Sequence, residues 1–254
     1  MKGPALLART MSVASTRGKG ERGWQYHSRS DHHSKVACWA VLFDLMLECD
    51  VVRDAAQRGR LGFGINHTMV GPMNKTLDLV LTLAPPSRQF QKRRTFAEVA
   101  ATLGLVFDDQ DVVALQALPA LEQDTAGDVS EVAIALEAKA CMTEHVKSLP
   151  RLHAEILATG YLAKKAAPRS ISVSYSLVNA APFFLTPSGV GKRNDHHQPD
   201  DARRVVDMIA RAVPTAHEVR DYGYDVVGVT VLDCRNDGSA VRVVEGAPAP
   251  STND

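Results

Sequence analysis

The sequence predicts an α/β protein with a mixed central sheet flanked by helices. Three observations predict it. Segments of helical periodicity alternate with short apolar runs of strand length along most of the chain. The run Ile-Ser-Val-Ser-Tyr-Ser-Leu, from Ile171 to Leu177, alternates with period two, as a half-polar strand requires. Asn236-Asp237-Gly238 stands between two apolar runs and marks a hairpin.

Bulk properties narrow the class further. At 254 residues the chain suits one sizeable domain with insertions. It is 45% hydrophobic and 23% charged, as soluble globular proteins are. Lys and Arg number 29, matching 29 Asp and Glu, so no global basic field marks a nucleic-acid partner. Any such surface must come from local clustering. Cys38, Cys49, Cys141 and Cys234 form no CxxC pair, which argues against a zinc ribbon and fits a reducing, cytoplasmic compartment. No run of about 18 apolar residues occurs, so no membrane span is expected. No signal peptide is expected either.

The elements follow in order. Residues 1–29 are rich in Gly, Ser, Thr and Arg without a sustained period, and are expected to be a flexible basic arm that docks through Trp24 and Tyr26. Ser34 is a plausible N-cap for a helix to about residue 48, with Val36, Trp39, Ala40, Phe43, Met46 and Leu47 at helical spacing. A short helical piece follows over 51–57. Gly59 breaks the pattern, and 61–70 reads as a strand. Gly71-Pro72 makes a turn before an apolar strand over 77–83 that ends at Pro85-Pro86. Residues 88–94 are a basic connector. Thr95, with Glu98 three residues on, caps a helix to about 103. Residues 108–128 show no clear period. A buried strand is expected over 132–138 and a long helix over 143–165. Beyond the strand at 171–178, residues 186–199 read as a polar loop. Residues 201–212 form an amphipathic helix with Val205, Met208, Ile209 and Ala212 on one face. The hairpin strands are 226–232 and 240–244. The expected domain therefore spans 30–244, with an inserted helical subdomain at about 85–130 and a helix-hairpin extension at about 200–244, then a tail over 245–254.

Two segments carry chemistry. In Lys75-Thr-Leu-Asp-Leu-Val-Leu81, Asp78 interrupts an apolar strand, and Val132-Ala-Ile-Ala-Leu-Glu-Ala-Lys139 ends a second one with Glu137 and Lys139. Residues two apart on a strand share a face, so Glu137 and Lys139 point the same way. Charges on a nearly buried strand are costly unless paired or bound to metal, and the trio meets that demand. It also meets a chemical one. Two carboxylates, with the Ala138 carbonyl, can hold Mg²⁺ while leaving positions for water and phosphate. The ammonium can orient the water and offset negative charge on a phosphodiester.

These residues resemble the signature of the PD-(D/E)xK, or restriction-endonuclease-like, nuclease superfamily over about residues 34–178. The resemblance implies a core of helix, three or four strands and helix, with the Asp on one strand and E-x-K on the next. Asp78, Glu137 and Lys139 take those positions, although Leu77 stands where the pattern has Pro and the gap to Glu137 is long. Asp128 is nearer in sequence but sits about 25 Å from Glu137 if the chain is extended. What the resemblance implies is a Mg²⁺-dependent endonuclease (Mn²⁺ may substitute) acting on double-stranded DNA, as a homodimer, in restriction or defence. RNA or single strands remain alternative substrates. A non-catalytic nucleic-acid-binding or assembly protein on a decayed nuclease scaffold remains the alternative of another class.

Supporting residues are expected on the helix after the motif, Lys147 first and His145 second, and at Lys35 near the start of the first helix. Arg88, Lys92, Arg93 and Arg94, with Phe90 interleaved, are candidates for tracking a phosphate backbone. The clusters Asp31-His-His33 and Asn194-Asp-His-His197 are weak metal signals, and Asp44 with Glu48 reads as a solvated face. Ser188-Gly-Val-Gly-Lys192 lacks the spacing and the final hydroxyl residue of a phosphate-binding loop.

Overall fold

The computed structural model describes residues 1–17, 23–70, 75–83, 94–123, 126–128, 132–187, 191–212 and 223–250. The elements are α1 (Gly3–Met11), β1 (Thr16–Arg17), β2 (Gly23–Trp24), α2 (His32–Glu48), α3 (Asp50–Gln57), β3 (Gly62–Val70), β4 (Lys75–Thr82), α4 (Phe96–Leu103) and α5 (Asp109–Ala117). They continue as β5 (Ala126–Asp128), β6 (Val132–Cys141), α6 (His145–Ala166), β7 (Ile171–Asn179), β8 (Phe183–Thr186), β9 (Lys192–Asp195), α7 (Asp200–Ala212), β10 (Val226–Asp233) and β11 (Arg242–Val243).

The protein is an α/β protein built on a mixed sheet, with strand order β11-β10-β7-β6-β4-β3-β5. Strands β3, β4 and β6 pair antiparallel, whereas β6, β7 and β10 pair parallel. The parallel pairs require crossovers, which α6 and α7 supply between β6, β7 and β10.

Each face of the sheet is covered by helix. On one face α2 brings Trp39, Phe43 and Met46 against Phe63, Leu79, Leu81, Leu136 and Leu177. On the other, α6 and α7 bring Leu152, Ile156, Val205 and Ile209 against Cys141, Val178 and Val231. Ala163 and Ala167 meet Val80, Val132 and Ala135 near the start of β6. Burial of each such aliphatic side chain contributes about 1.5–3 kcal/mol, so the sheet is held from both sides.

The expected basic arm is corrected in its first part. Residues Gly3–Met11 form α1, and Leu6 and Leu7 are 0% exposed within the main core. Pro4 lies in the first turn, where its missing N–H costs nothing. Gly3 is required by contact, since a Cβ there would stand 2.6 Å from the Ala40 carbonyl oxygen. Asp44 Oδ1 accepts from the Lys2 and Gly3 amides at 2.6 and 2.9 Å, so this carboxylate caps α1 and is not on a solvated face. Arg9 reaches the buried Asp111 and also Asp108. The density of Gly, Ser and Arg obscured the short apolar set Leu6, Leu7 and Met11.

The helices expected in the insertion are present, but they extend the main core. Thr95 and Asp108 begin α4 and α5 with reciprocal capping boxes. Phe96 stacks on Trp39 with ring centroids 4.1 Å apart, and Trp39 Nε1 donates to the Phe96 carbonyl at 3.0 Å. The polar loop over 186–199 is corrected in part to the β8–β9 hairpin, which Phe184 anchors in the core. The Asn236 turn does join β10 to β11, with φ 59° at Asn236. Its buried amide donates to the carbonyls of Tyr26 at 3.0 Å and Leu185 at 2.7 Å.

Candidate active site

Strands β4 and β6 bring the predicted trio together. Their ladder pairs Val80 with Ala135 and Leu79 with Leu136, then ends. Asp78 and Glu137 are the next residues on the two strands. Instead of a further ladder bond, the Ala138 amide donates to Asp78 Oδ2 at 2.8 Å. A strand residue directs its N–H and C=O to the same neighbour, so the Ala138 carbonyl also faces the Asp78 side.

Glu137 and Lys139 share the opposite pleat from Ala138. Lys139 Nζ donates to Glu137 Oε1 at 2.8 Å, with side chains 21% and 10% exposed. Asp78 is half-buried. Two carboxylates and one ammonium thus meet in a poorly hydrated place. On β7, Ser174 and Ser176 stand in register with Glu137 and Lys139 and share their face.

Helix α6 roofs this face. A Cβ at Gly160 would lie 3.0 Å from the Tyr224 ring, so Gly160 lets that ring settle against the helix. Burial raises the Tyr224 hydroxyl pKa first, the Glu137 and Asp78 charges raise it further, and a hydrogen bond with Thr159 acts in the opposite direction. From the α2 side, burial and then the Asp78 and Glu137 charges push the Cys38 thiol well above its ordinary value, so it stays protonated.

The donor set suits a hard cation. Asp78, Glu137 and the Ala138 carbonyl all offer oxygen, and the nearby Ser174 and Ser176 hydroxyls are buried without hydrogen-bond partners among the described residues. No group of three or more His, Cys, Asp or Glu residues that could hold a metal occurs among the described residues. A cation here would therefore rely on the backbone and on water, which Mg²⁺ characteristically retains.

The supporting residues lie elsewhere. Lys147 is exposed and paired with Glu144 at 3.1 Å. His145 is buried, with Nε2 2.7 Å from the Asn179 carbonyl and its ring edge-on to His196 at 4.6 Å. Both line a cleft of about 340 Å³ with Glu144, Asp195, His196 and Asp201, and none of the trio lines it. Lys35 pairs with Asp31 at 2.8 Å, and Asn66 Nδ2 donates to the same carboxylate at 3.0 Å. Asn66 lies between the pairs Ile65–Leu79 and His67–Leu77, hence across from Asp78, so Lys35 is tied to the neighbourhood of the trio through Asp31 and Asn66. Arg94 is exposed ahead of α4, whereas Arg88, Lys92 and Arg93 lie outside the described residues.

Sequence reasoning missed Ser174, Ser176 and Tyr224. The alternating serines were visible, but a polar strand face signals a site only once the strand proves central and covered by helix.

The fold and the trio thus define an α/β protein with a partly buried acid–acid–lysine cluster where an antiparallel ladder opens. No family model, curated protein or solved structure matches the chain. No helix among the described residues is long and apolar enough to cross a membrane.

Proposed function

We propose that this protein is a Mg²⁺-dependent nuclease of the PD-(D/E)xK class that hydrolyses phosphodiester bonds in double-stranded DNA. The observation that carries the reading is the meeting of Asp78 with Glu137-Ala138-Lys139 across β4 and β6, through the bond from the Ala138 amide to Asp78. The succession α2, β3, β4, β6, α6, β7 supports it, because the resemblance implies helix, three or four strands, and helix. The insertion between β4 and β6 explains the long gap from Asp78 to Glu137.

Asp78, Glu137 and the Ala138 carbonyl would hold the cation. Bound there, it would supply Lewis acidity toward the phosphate and lower the pKa of water. Lys139, held beside Glu137, orients a water for in-line attack and offsets charge developing on the phosphate oxygens. Cleavage of both strands calls for two such sites, hence a homodimer. A role in restriction or defence fits that activity by analogy alone.

The reading of a non-catalytic binding protein on the same scaffold has one observation in its favour, the closed Lys139–Glu137 pair. Incubation with duplex DNA, single-stranded DNA and RNA separates the two, in Mg²⁺ or EDTA, beside Glu137→Ala and Lys139→Ala. Cleavage that requires Mg²⁺ and vanishes in both variants supports the nuclease, and the substrate cut identifies its target. No cleavage together with no change in melting temperature on adding Mg²⁺ overturns it.

A further inference from the structure

Strand β7 carries Ser172, Ser174 and Ser176 on the face that bears Glu137 and Lys139, all buried. They do not serve one purpose. Ser172 is fully engaged: its amide donates to Asp225 Oδ2 at 2.7 Å, and its Oγ lies 2.9 Å from that oxygen and 3.0 Å from the Gly223 carbonyl. Lys164 Nζ closes on the same carboxylate at 2.5 Å. This clamp fixes the backbone on both sides of Tyr224 and so aims its ring at Gly160 under α6.

Ser174 Oγ and Ser176 Oγ are also buried, yet they have no hydrogen-bond partner among the described residues. Buried hydroxyls without partners are costly, and folded proteins satisfy them with ordered water or a ligand. Here they flank a carboxylate and an ammonium in register, Ser174 beside Glu137 and Ser176 beside Lys139.

We propose that Ser174 and Ser176 are positioning residues that hold the water shell of a divalent cation carried by Asp78 and Glu137. The proposal rests on the reading of the trio as a cation site. Mg²⁺ and Mn²⁺ keep several waters when bound by few protein oxygens, and partners of those waters tune affinity. Neither serine needs to touch the ion.

The test is Mn²⁺ binding, read as loss of the free-ion electron paramagnetic resonance signal, on wild type, Ser174→Ala, Ser176→Ala and the double variant. Thermal melts are taken without metal. Each single variant is expected to melt no lower than wild type without metal and to bind Mn²⁺ about tenfold more weakly. Ser172→Ala is the contrast, with a lower melting temperature through loss of the Asp225 clamp. Wild-type affinity in the double serine variant overturns the proposal and leaves the cation site standing. A lower melting temperature in both serine variants without metal also overturns it, because the hydroxyls would then have structural partners. If wild type itself does not bind Mn²⁺, the cation site fails first and this proposal with it.

Discussion

Replacing Lys139 with Met separates a working site from an inert buried ion pair. The substitution keeps much of the side-chain volume and removes the charge that faces Glu137 Oε1 at 2.8 Å. Removing one partner of a buried pair costs about 3–5 kcal/mol, because the other charge stays buried and uncompensated. Lys139 keeps 21% of its side-chain surface, so water screens part of the loss and about 3 kcal/mol is the appropriate figure. At about 2–4 °C per kcal/mol for a chain of this size, the metal-free variant should melt about 6–12 °C below wild type. Glu137 then loses the ammonium that pairs with it. Mg²⁺ should therefore bind the variant more tightly than wild type, restoring about 2.7 kcal/mol at a hundredfold excess over Kd. Cleavage should nonetheless fall about 10²- to 10⁴-fold, since the group that orients the water is gone. Differential scanning fluorimetry with a Mg²⁺ titration reads the first two effects, and a duplex-cleavage assay reads the third. A variant as stable as wild type without metal and indifferent to Mg²⁺ would refute the reasoning, because the pair would then carry no electrostatic load that a cation can relieve.

Two further predictions concern the frame around the site. Asp44→Ala removes the acceptor of the Lys2 and Gly3 amides and should lower the urea midpoint by the equivalent of about 1–2 kcal/mol, with Leu6 and Leu7 loosened from the core; an unchanged midpoint would show that α1 docks without its cap. His145 is held below its ordinary pKa of 6.5, first by burial and then by His196, with the Asn179 carbonyl and Asp201 acting in the opposite direction. The unfolded chain then takes up that proton more readily. His145 is therefore neutral and cost-free above pH 6.5, and stability falls as pH drops from there toward its folded pKa. His145→Gln should flatten the melting temperature between about pH 7 and pH 5, and an unaltered slope would assign the acid sensitivity elsewhere.

Much of the sheet was legible because its strands carry strong local signals. The alternation from Ile171 to Leu177, the apolar run around Asp78 and the Asn236 turn each fix a strand or a connection from within a few residues. Capping worked for the same reason, since Thr95 and Glu98 are neighbours. What escaped depends on partners remote in sequence. The α1 helix is held by Asp44, Arg9 with Asp111, and burial against α2, none of which its own composition announces. Helix α5 has little amphipathic pattern of its own, and β8–β9 is polar apart from the phenylalanines and Leu185. The site divides along the same line. Asp78, Glu137 and Lys139 stood out as charges breaking apolar strands. Ser174 and Ser176 acquire meaning only from β7 pairing with β6.

The position of the trio follows from the way the sheet changes character at β6. On one side β6 pairs with β7 without a break from Ile134 to Cys141, while on the other its ladder to β4 stops at Leu136. The half of β6 beyond Leu136 thus has one edge tied into a rigid parallel ladder and the other turned toward Asp78. A rigid edge fixes Glu137 and Lys139 in angle and depth, and an open edge leaves the Ala138 amide and carbonyl directed at a side chain instead of a strand. An ion pair kept only for packing would gain nothing from that opening, since a completed ladder would satisfy the same backbone groups and hold the sheet better. Asp78 interrupts the ladder with a second carboxylate beside the Lys139–Glu137 pair. Two carboxylates gathered beside a backbone carbonyl are costly in an inert core and useful in a site that takes a cation, and this favours the proposed nuclease over a buried salt bridge.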